Sequence, residues 1–300
     1  MLTEMPKELK DLSEKELERK KAIGSITTKT LSYMTNAFVE RGFSWFLPVV
    51  FSKVTDPLWP DPSASIEGRI EVDMYGEKVM AMQSMIVHKI TACSLLYDRL
   101  FTLSPNIRLE RRDRATTGRH AYEFTQLDFE MRYASSRDVM DMVEEMTCGL
   151  ISYLKRTSKE ELAYLGRDLA VPERPFRVYE REAKSDEFCW VVDMPREFYD
   201  FEDPDSGFWD NYDLMLPGIG EVLSGSRRES DYDRIVRKMD RDGVRKENFR
   251  ALLDLAGSGR IRPTAGAGIG LERLIAWMCG AKHVCEVQPF PRIPGLVGDL

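Results

Sequence analysis

Phe124, Gln126, Asp128 and Glu130 recur at every second position of residues 119–131. A strand there sets a ring, an amide and two acids on one face. Thr125, Leu127, Phe129 and Met131 fall on the other, which reads as an ordinary core face. A solvated face has no need of the ring, and a buried one does not tolerate the acids without partners. Residues 103–110 repeat the alternation, with Asn106, Arg108 and Glu110 on one side and Ile107 and Leu109 on the other. Joined by the polar stretch 111–118, the two segments predict a hairpin whose polar groups all face one way. Alternation alone describes a half-exposed hairpin. The company of an aromatic, an arginine and several acids points instead to a ligand platform.

A second constellation lies near the C-terminus. Gly266, Gly268 and Gly270 alternate along residues 264–270, and the missing side chains let something flat approach the backbone. The spacing is not that of a dinucleotide fingerprint, and too little chain follows for a βαβ unit. Arg273 falls in the first turn of the next expected helix, where a cation opposes the helix dipole by up to about 1 kcal/mol. It either pairs with an acid such as Glu272 or Glu286 or is aimed at phosphate, which a guanidinium can grip with two donors.

The rest of the chain has to hold these groups. Its 300 residues, 43% hydrophobic, suffice for a large core in one sheet domain or two. No apolar run approaches the roughly 20 residues of a membrane span, and the densely charged start is no signal peptide. Cys93, Cys148, Cys189, Cys279 and Cys285 are scattered; they form no metal-type pair and read as reduced thiols of a cytoplasmic protein. A net charge of -7 weighs against nucleic acid as the main partner.

Residues 5–21 read as an exposed charged helix or arm. A helix carrying Leu31, Met34 and Phe38 follows and stops at Gly42. Residues 43–51 predict a strand, with Pro48 at an edge or bulge, and 56–62 a rigid loop. Two short strands turn at Tyr75-Gly76, and 83–96 predict a helix. Ser135 or Ser136 caps a long helix striped by Val139, Val143, Met146 and Leu150. Residues 156–188 give no clear pattern. Residues 190–194 predict a strand, 198–209 an aromatic and acidic loop, 212–223 a hairpin, and 230–256 helix.

Taken together, these residues resemble the catalytic core of class II aminoacyl-tRNA synthetases, in the aspartyl/asparaginyl subgroup. Pro48 stands at the motif 1 proline. Residues 107–110, 119–120 and 123–130 are similar to motif 2, and 266–273 to motif 3. Residues 220–229 are similar to the strand that carries a metal-binding acid and a substrate-binding arginine, and 286–292 to the C-terminal segment. The resemblance implies an α+β fold, a class II synthetase-like core with a central, mostly antiparallel sheet flanked by helices. That core spans residues 25–300, after a charged helix or arm at 1–24. It implies a homodimer through the region around Pro48.

It also implies roles by position. Arg108 holds the α-phosphate of ATP, Glu110 the adenine side, and Phe124 stacks on the base. Arg273 clamps the other face and reaches the γ-phosphate, with Gly270 beside it; Arg108 and Arg273 carry the catalysis. Arg119 and His120 touch the outer phosphates. Asp213, Glu221 and Ser224 hold Mg²⁺, a hard cation suited to oxygen ligands. Gln126 and Asp128 meet an amino acid's ammonium, and Ser84, Lys89 and Arg228 surround an aspartate carboxylate. Glu130 is assigned either to Mg²⁺ or to orienting Arg108.

Synthetases of this subgroup carry an anticodon-binding barrel, whereas here motif 1 begins near residue 30. The expectation is therefore activation without tRNA. Residues 56–62, 83–86 and 195–199 are similar to the archaeal-type asparagine synthetases, with Met85-Ile86 where aspartyl synthetases carry Pro-Gln. That family implies aspartate, ATP and ammonia giving asparagine, AMP and pyrophosphate through a β-aspartyl-adenylate, with tRNA not a partner. Free ammonia is the expected donor, because no cysteine follows Met1 and no glutaminase half is in view. Two alternatives stand beside it. One is a subgroup paralogue charging another acceptor, tRNA or protein. The other is a non-catalytic regulatory subunit, which the presence of both Arg108 and Arg273 disfavours.

Overall fold

A computed structural model describes residues 5–56, 66–182 and 186–299. Its strands are β1 (Ser44–Trp45), β2 (Phe51–Ser52), β3 (Ile66–Gly68), β4 (Glu71–Met74), β5 (Glu77–Ala81), β6 (Arg99–Ile107) and β7 (Leu109–Glu110). They continue with β8 (Glu123–Arg132), β9 (Arg177–Glu180), β10 (Cys189–Val192), β11 (Asn211–Leu216), β12 (Gly220–Arg227) and β13 (Thr264–Gly270). The expected hairpin is β6 with β8, paired antiparallel so that Asn106 faces Phe124, Ser104 faces Gln126 and Thr102 faces Asp128. Partners across a ladder share a face. Asn106 therefore joins the polar row of β8, and its Nδ2 donates to Gln126 Oε1 at 2.8 Å.

On the far edge of β8 runs β13, which puts Gly270 opposite Gln126, Gly268 opposite Asp128 and Gly266 opposite Glu130. The eight-stranded sheet has the order β1-β6-β8-β13-β12-β11-β10-β9. It is antiparallel except at its two edge pairs, β1 with β6 and β10 with β9. The fold is thus α+β around a mostly antiparallel sheet, as expected.

The apolar row of β8 meets helices. Helix α1 (Glu14–Glu40) brings Phe38 within 5.1 Å of Phe129, ring centre to ring centre. Helix α3 (Ser136–Thr157) adds Val139, Val143, Met146 and Leu150 to the same core. Ser135 caps α3 by accepting from Asp138 N, so the first of the two candidate serines starts the helix. Over the polar face lies helix α2 (Ile86–Leu95). Its Ile86, Val87 and Ile90 join Phe198, Tyr199, Ile235 and Phe249 in a second, separate core. Helix α5 (Tyr232–Arg241) and helix α6 (Arg250–Gly257) complete that roof, and helix α7 (Leu271–Cys279) follows β13 directly. The short α4 (Lys159–Tyr164) and β9 lie within the stretch that gave no sequence pattern.

Several local expectations change. From Glu14 onward the charged arm and the helix after it are one helix, started by a capping box of Ser13 and Glu16 and running through residue 24 unbroken, while residues 5–13 lie outside it. Residues 43–51 are not one strand: Pro48 lies between β1 and β2, which pair with different sheets. The turn at Tyr75-Gly76 forms as expected, with φ of 55° and 79°. Of the loop expected at 56–62, only Asp56 is among the described residues. No helix among the described residues is long and apolar enough to cross a membrane.

Candidate active site

Two connected hollows lie over the polar face, sharing Arg108, Gln126, Glu221 and Gly268. The first runs from Arg108 past Phe124 to Arg273. The Arg108 guanidinium carbon sits 5.2 Å from the Phe124 ring centre. Its Nε and Nη2 donate to Gln83 O at 3.1 and 3.0 Å, which fixes the side chain and leaves Nη1 for a ligand. Arg273 Nη1 donates to Glu221 O and Oε1, both at 3.0 Å. The partner of Arg273 is therefore Glu221 on β12. Glu272 instead accepts from Thr125 N at 2.9 Å.

Charge is concentrated here. Partial desolvation raises the Glu221 carboxyl, but four guanidiniums, Arg273 first, outweigh it and hold it below the usual carboxylate range. Burial, then Arg273, Arg114 and Arg119, push His120 down to about 4. His120 is thus neutral near pH 7. It can donate or accept a hydrogen bond but adds no fixed charge, which is left to Arg119. Burial raises Glu110 against the pull of Arg108 and Arg114, and Arg114 holds it at 2.8 Å.

The second hollow brings Ser84, Lys89, Gln126, Asp128 and Arg228 together, the five residues expected around an amino acid. The two cations among them are largely engaged by the protein's own acceptors. Lys89 Nζ donates to Asp128 Oδ1 and to Ala267 O, both at 2.9 Å. Arg228 spends its Nε on Glu130 at 3.1 Å and its Nη1 on Asp200 at 3.0 Å and Ser226 at 2.7 Å. Its Nη2 goes to Gly266 O at 3.0 Å and to Glu130 Oε2 at 3.4 Å. A guanidinium has five N–H donors, and all five are engaged. Glu130 accordingly serves Arg228, together with Thr264 Oγ1 at 2.8 Å. It neither orients Arg108 nor joins a cation site.

The glycines of β13 also differ from expectation. A Cβ on Gly266 would lie 2.2 Å from Phe129 O and 2.3 Å from Glu130 Oε2. One on Gly268 would lie 2.9 Å from Gln126 Nε2 and 3.0 Å from Asp128 Oδ1. These two make room for the protein's own strand and side chains. Gly270, where the closest atom is 3.6 Å away, is the one open towards a ligand.

Asp213 and Ser224 stand directly opposite each other on β11 and β12, beside Glu221. Burial and Glu221 push Asp213 up to about 6 against the pull of Arg196. Asp213 Oδ1 is buried without a hydrogen-bond partner. That orphan oxygen and the Glu221 carboxylate suit one hard cation such as Mg²⁺. Ser224 does not complete the set, because its Oγ accepts from Arg196 Nη1. Arg196, Glu197, Asp200 and Asp56 all line this hollow and escape sequence reasoning. Asp56, Arg196 and Glu197 fall in the segments 56–62 and 195–199, which carried a resemblance but no role, and Asp200 falls in the acidic loop 198–209.

Comparison with known proteins gives the family. The profile described as tRNA synthetases class II (D, K and N) matches residues 15–294. Among curated proteins, asparagine–tRNA ligase of Streptococcus agalactiae serotype III (strain NEM316) is 28% identical over 303 residues, covering 86% of this chain and 66% of the relative. That of Desulfitobacterium hafniense (strain Y51) is 28% identical over 273 residues, covering 75% and 58%. The chain thus spans 66% or less of the length of these relatives. Among solved structures, asparaginyl-tRNA synthetase from Pyrococcus horikoshii, complexed with asparaginyl-adenylate, superposes with a TM-score of 0.80 at 22% identity, over 93% of this chain and 70% of that one. Aspartyl tRNA synthetase from Entamoeba histolytica gives 0.71 at 22%, over 92% and 59%.

These relatives overturn two expectations. An ammonia-using asparagine synthetase gives way, because the curated relatives are asparagine–tRNA ligases. The exclusion of tRNA as a partner falls with it. The exclusion of tRNA rested on what is not seen before residue 25, and the asparagine synthetase reading also on the similarity of residues 56–62, 83–86 and 195–199.

Proposed function

The chain belongs to the class II tRNA synthetases of the D, K and N type, and we propose that it activates asparagine with ATP as an aminoacyl-adenylate and transfers it to tRNA. The observation that carries this reading is the pairing of Arg108 with the Phe124 ring at 5.2 Å, in a cleft that Arg273 closes at its other side. A base can lie on Phe124 beside Gly270 while Arg108 Nη1 meets the α-phosphate. The amino acid's carboxylate oxygen then attacks the α-phosphorus, and the bond to the bridging oxygen of pyrophosphate breaks. Fixed charge from Arg108 and Arg273 stabilises the transition state, and no side chain acts as covalent nucleophile. The tRNA's terminal hydroxyl next attacks the acyl carbon, and AMP leaves. Asp213 Oδ1 and Glu221 would hold a Mg²⁺ ion, which supplies further positive charge to the phosphates.

Charge in the second hollow favours asparagine over aspartate. Two cations, Lys89 and Arg228, face three carboxylates, those of Asp128, Glu130 and Asp200. With every Arg228 N–H engaged, that guanidinium has no donor left for a second substrate carboxylate, and a neutral amide fits better beside it. Asp128 Oδ2, buried without a partner, suits the substrate ammonium. A second copy of the chain is the natural cover for Trp45, Leu47, Val50 and Phe51, all exposed around Pro48.

Pyrophosphate exchange into ATP tests the first half, with asparagine and aspartate compared. Exchange with asparagine is expected, followed by asparaginyl-tRNA on an acid gel. Exchange with neither amino acid overturns adenylation. Exchange with aspartate alone overturns the substrate, and exchange without transfer overturns the acceptor.

A further inference from the structure

Arg196 enters the site from the loop after β10, immediately behind Pro195. Its Nη2 donates to Asp213 Oδ2 at 2.5 Å, and its Nη1 donates to Ser224 Oγ. Asp213 and Ser224 are direct partners across the β11–β12 ladder, so their side chains rise from one face a few ångströms apart. A carboxylate and a hydroxyl so placed form a ready pair of oxygens for a hard cation. The guanidinium bridges them instead, one arm to each. The remaining Asp213 oxygen, Oδ1, is left buried and bare. Arg196 also lines the amino-acid hollow together with Arg108 and Glu221, so its charge faces the ground where substrate and phosphates meet.

We propose that Arg196 is a resident cation of the active site: its guanidinium fills the place between Asp213 and Ser224, so that a divalent ion is taken up at Asp213 Oδ1 and Glu221 and not at Ser224. An ion that arrives with ATP can depart with pyrophosphate. Arg196 cannot depart, and a guanidinium cannot be deprotonated in a protein. Part of the positive charge at this end of the cleft is therefore independent of metal concentration. Displacing Arg196 would strand a mostly buried guanidinium away from its acceptors, which is costly.

The proposal gives Arg196 its purpose within the adenylation reading, but its test reads cation binding by the free protein and needs no substrate. Mn²⁺ is titrated into the ligand-free protein and the free ion is followed by electron paramagnetic resonance. R196M, which removes the charge and keeps an unbranched apolar stem, should bind Mn²⁺ at least about tenfold more tightly than the wild type. Adding D213N to R196M should cancel the gain. R196K, which keeps a positive charge, should stay near the wild type. S224A tests the same idea on a gentler change, and it should leave the Mn²⁺ affinity of the otherwise unaltered protein where it was. Equal Mn²⁺ binding by wild type and R196M overturns the proposal. So does a gain that survives D213N, or, should R196M not fold, a weaker affinity in S224A. Absence of exchange activity in the wild type, with these binding results intact, would count against the adenylation reading alone.

Discussion

Arg228 and Glu130 form a forked ion pair, Nε to Oε1 at 3.1 Å and Nη2 to Oε2 at 3.4 Å, with both side chains almost wholly out of water. The fork joins β8 to the end of β12 across the intervening strand β13, and its arms pass beside Gly266. Breaking such a pair from one side leaves an uncompensated charge. E130Q should therefore lower stability by about 3 kcal/mol, read as a shift of the urea midpoint at unchanged slope. A loss below about 0.5 kcal/mol, the ordinary size of a surface change, would remove Glu130 from this supporting role.

Arg108 is held by Gln83 O and still has Nη1 to offer. R108A should reduce kcat/KM for asparagine-dependent pyrophosphate exchange by a hundredfold or more, about 3 kcal/mol of transition-state stabilisation. Near-normal exchange would mean that another group meets the α-phosphate.

The glycines of β13 should respond in graded fashion. A Cβ at position 266 meets the backbone oxygen of Phe129 at 2.2 Å, which cannot step aside. G266A should therefore fold poorly or lose several kcal/mol. At 270 the same Cβ finds 3.6 Å of clearance. G270A should keep its melting temperature and raise KM for ATP, measured by exchange at varied ATP. Equal melting losses for the two variants would contradict the packing described.

Glu197 makes stability depend on pH. Burial, then Asp56 and Asp200, raise its carboxyl from 4.5 to about 8. The native protein keeps a proton that the unfolded chain releases. The stability it contributes is complete below about pH 4.5 and is lost as pH rises towards about 8. E197Q, permanently neutral, should match the wild type at pH 4 and exceed it at pH 8 by roughly 3–5 kcal/mol. Parallel stability curves for the two proteins would deny the shift.

Leu47 is 86% exposed at the segment joining β1 and β2. If a second copy covers it, L47D should shift the sedimenting species from dimer to monomer without changing the fold. A wild type that sediments as a monomer would settle the matter the other way.

Much of the floor of the site was legible because strands advertise themselves by period two. The row 124–130 gave both faces of the central hairpin, whereas Leu109 and Glu110 pair with β3 instead of continuing it, and a serine in front of a periodic segment marked the start of α3. Tertiary partners were not legible. Lys89, Arg228 and Asp128 read as free ligands for a substrate and Glu130 as a Mg²⁺ ligand or a support for Arg108, and only their three-dimensional neighbours reveal that they bind one another. Gly266 and Gly268 read as space for a ligand, yet the register of β13 on β8 gives that space to Phe129, Glu130, Gln126 and Asp128. Arg196 was invisible because it follows a proline in a loop, where no periodicity assigns a side chain to a face.

The two cores of the molecule give the site an uneven lifespan under fluctuation. The nucleotide end rests on β8 and β13, whose far face is locked by α1 and α3. The amino-acid end is roofed by α2, Tyr199 and α5, which belong to the smaller cluster. Openings that cost less than global unfolding concentrate in the less extensively packed unit. Amide exchange should therefore run faster in residues 86–95 and 232–241 than in 123–132. The roof over the amino acid can breathe while the nucleotide floor stays shut, which orders the release of the site's two occupants.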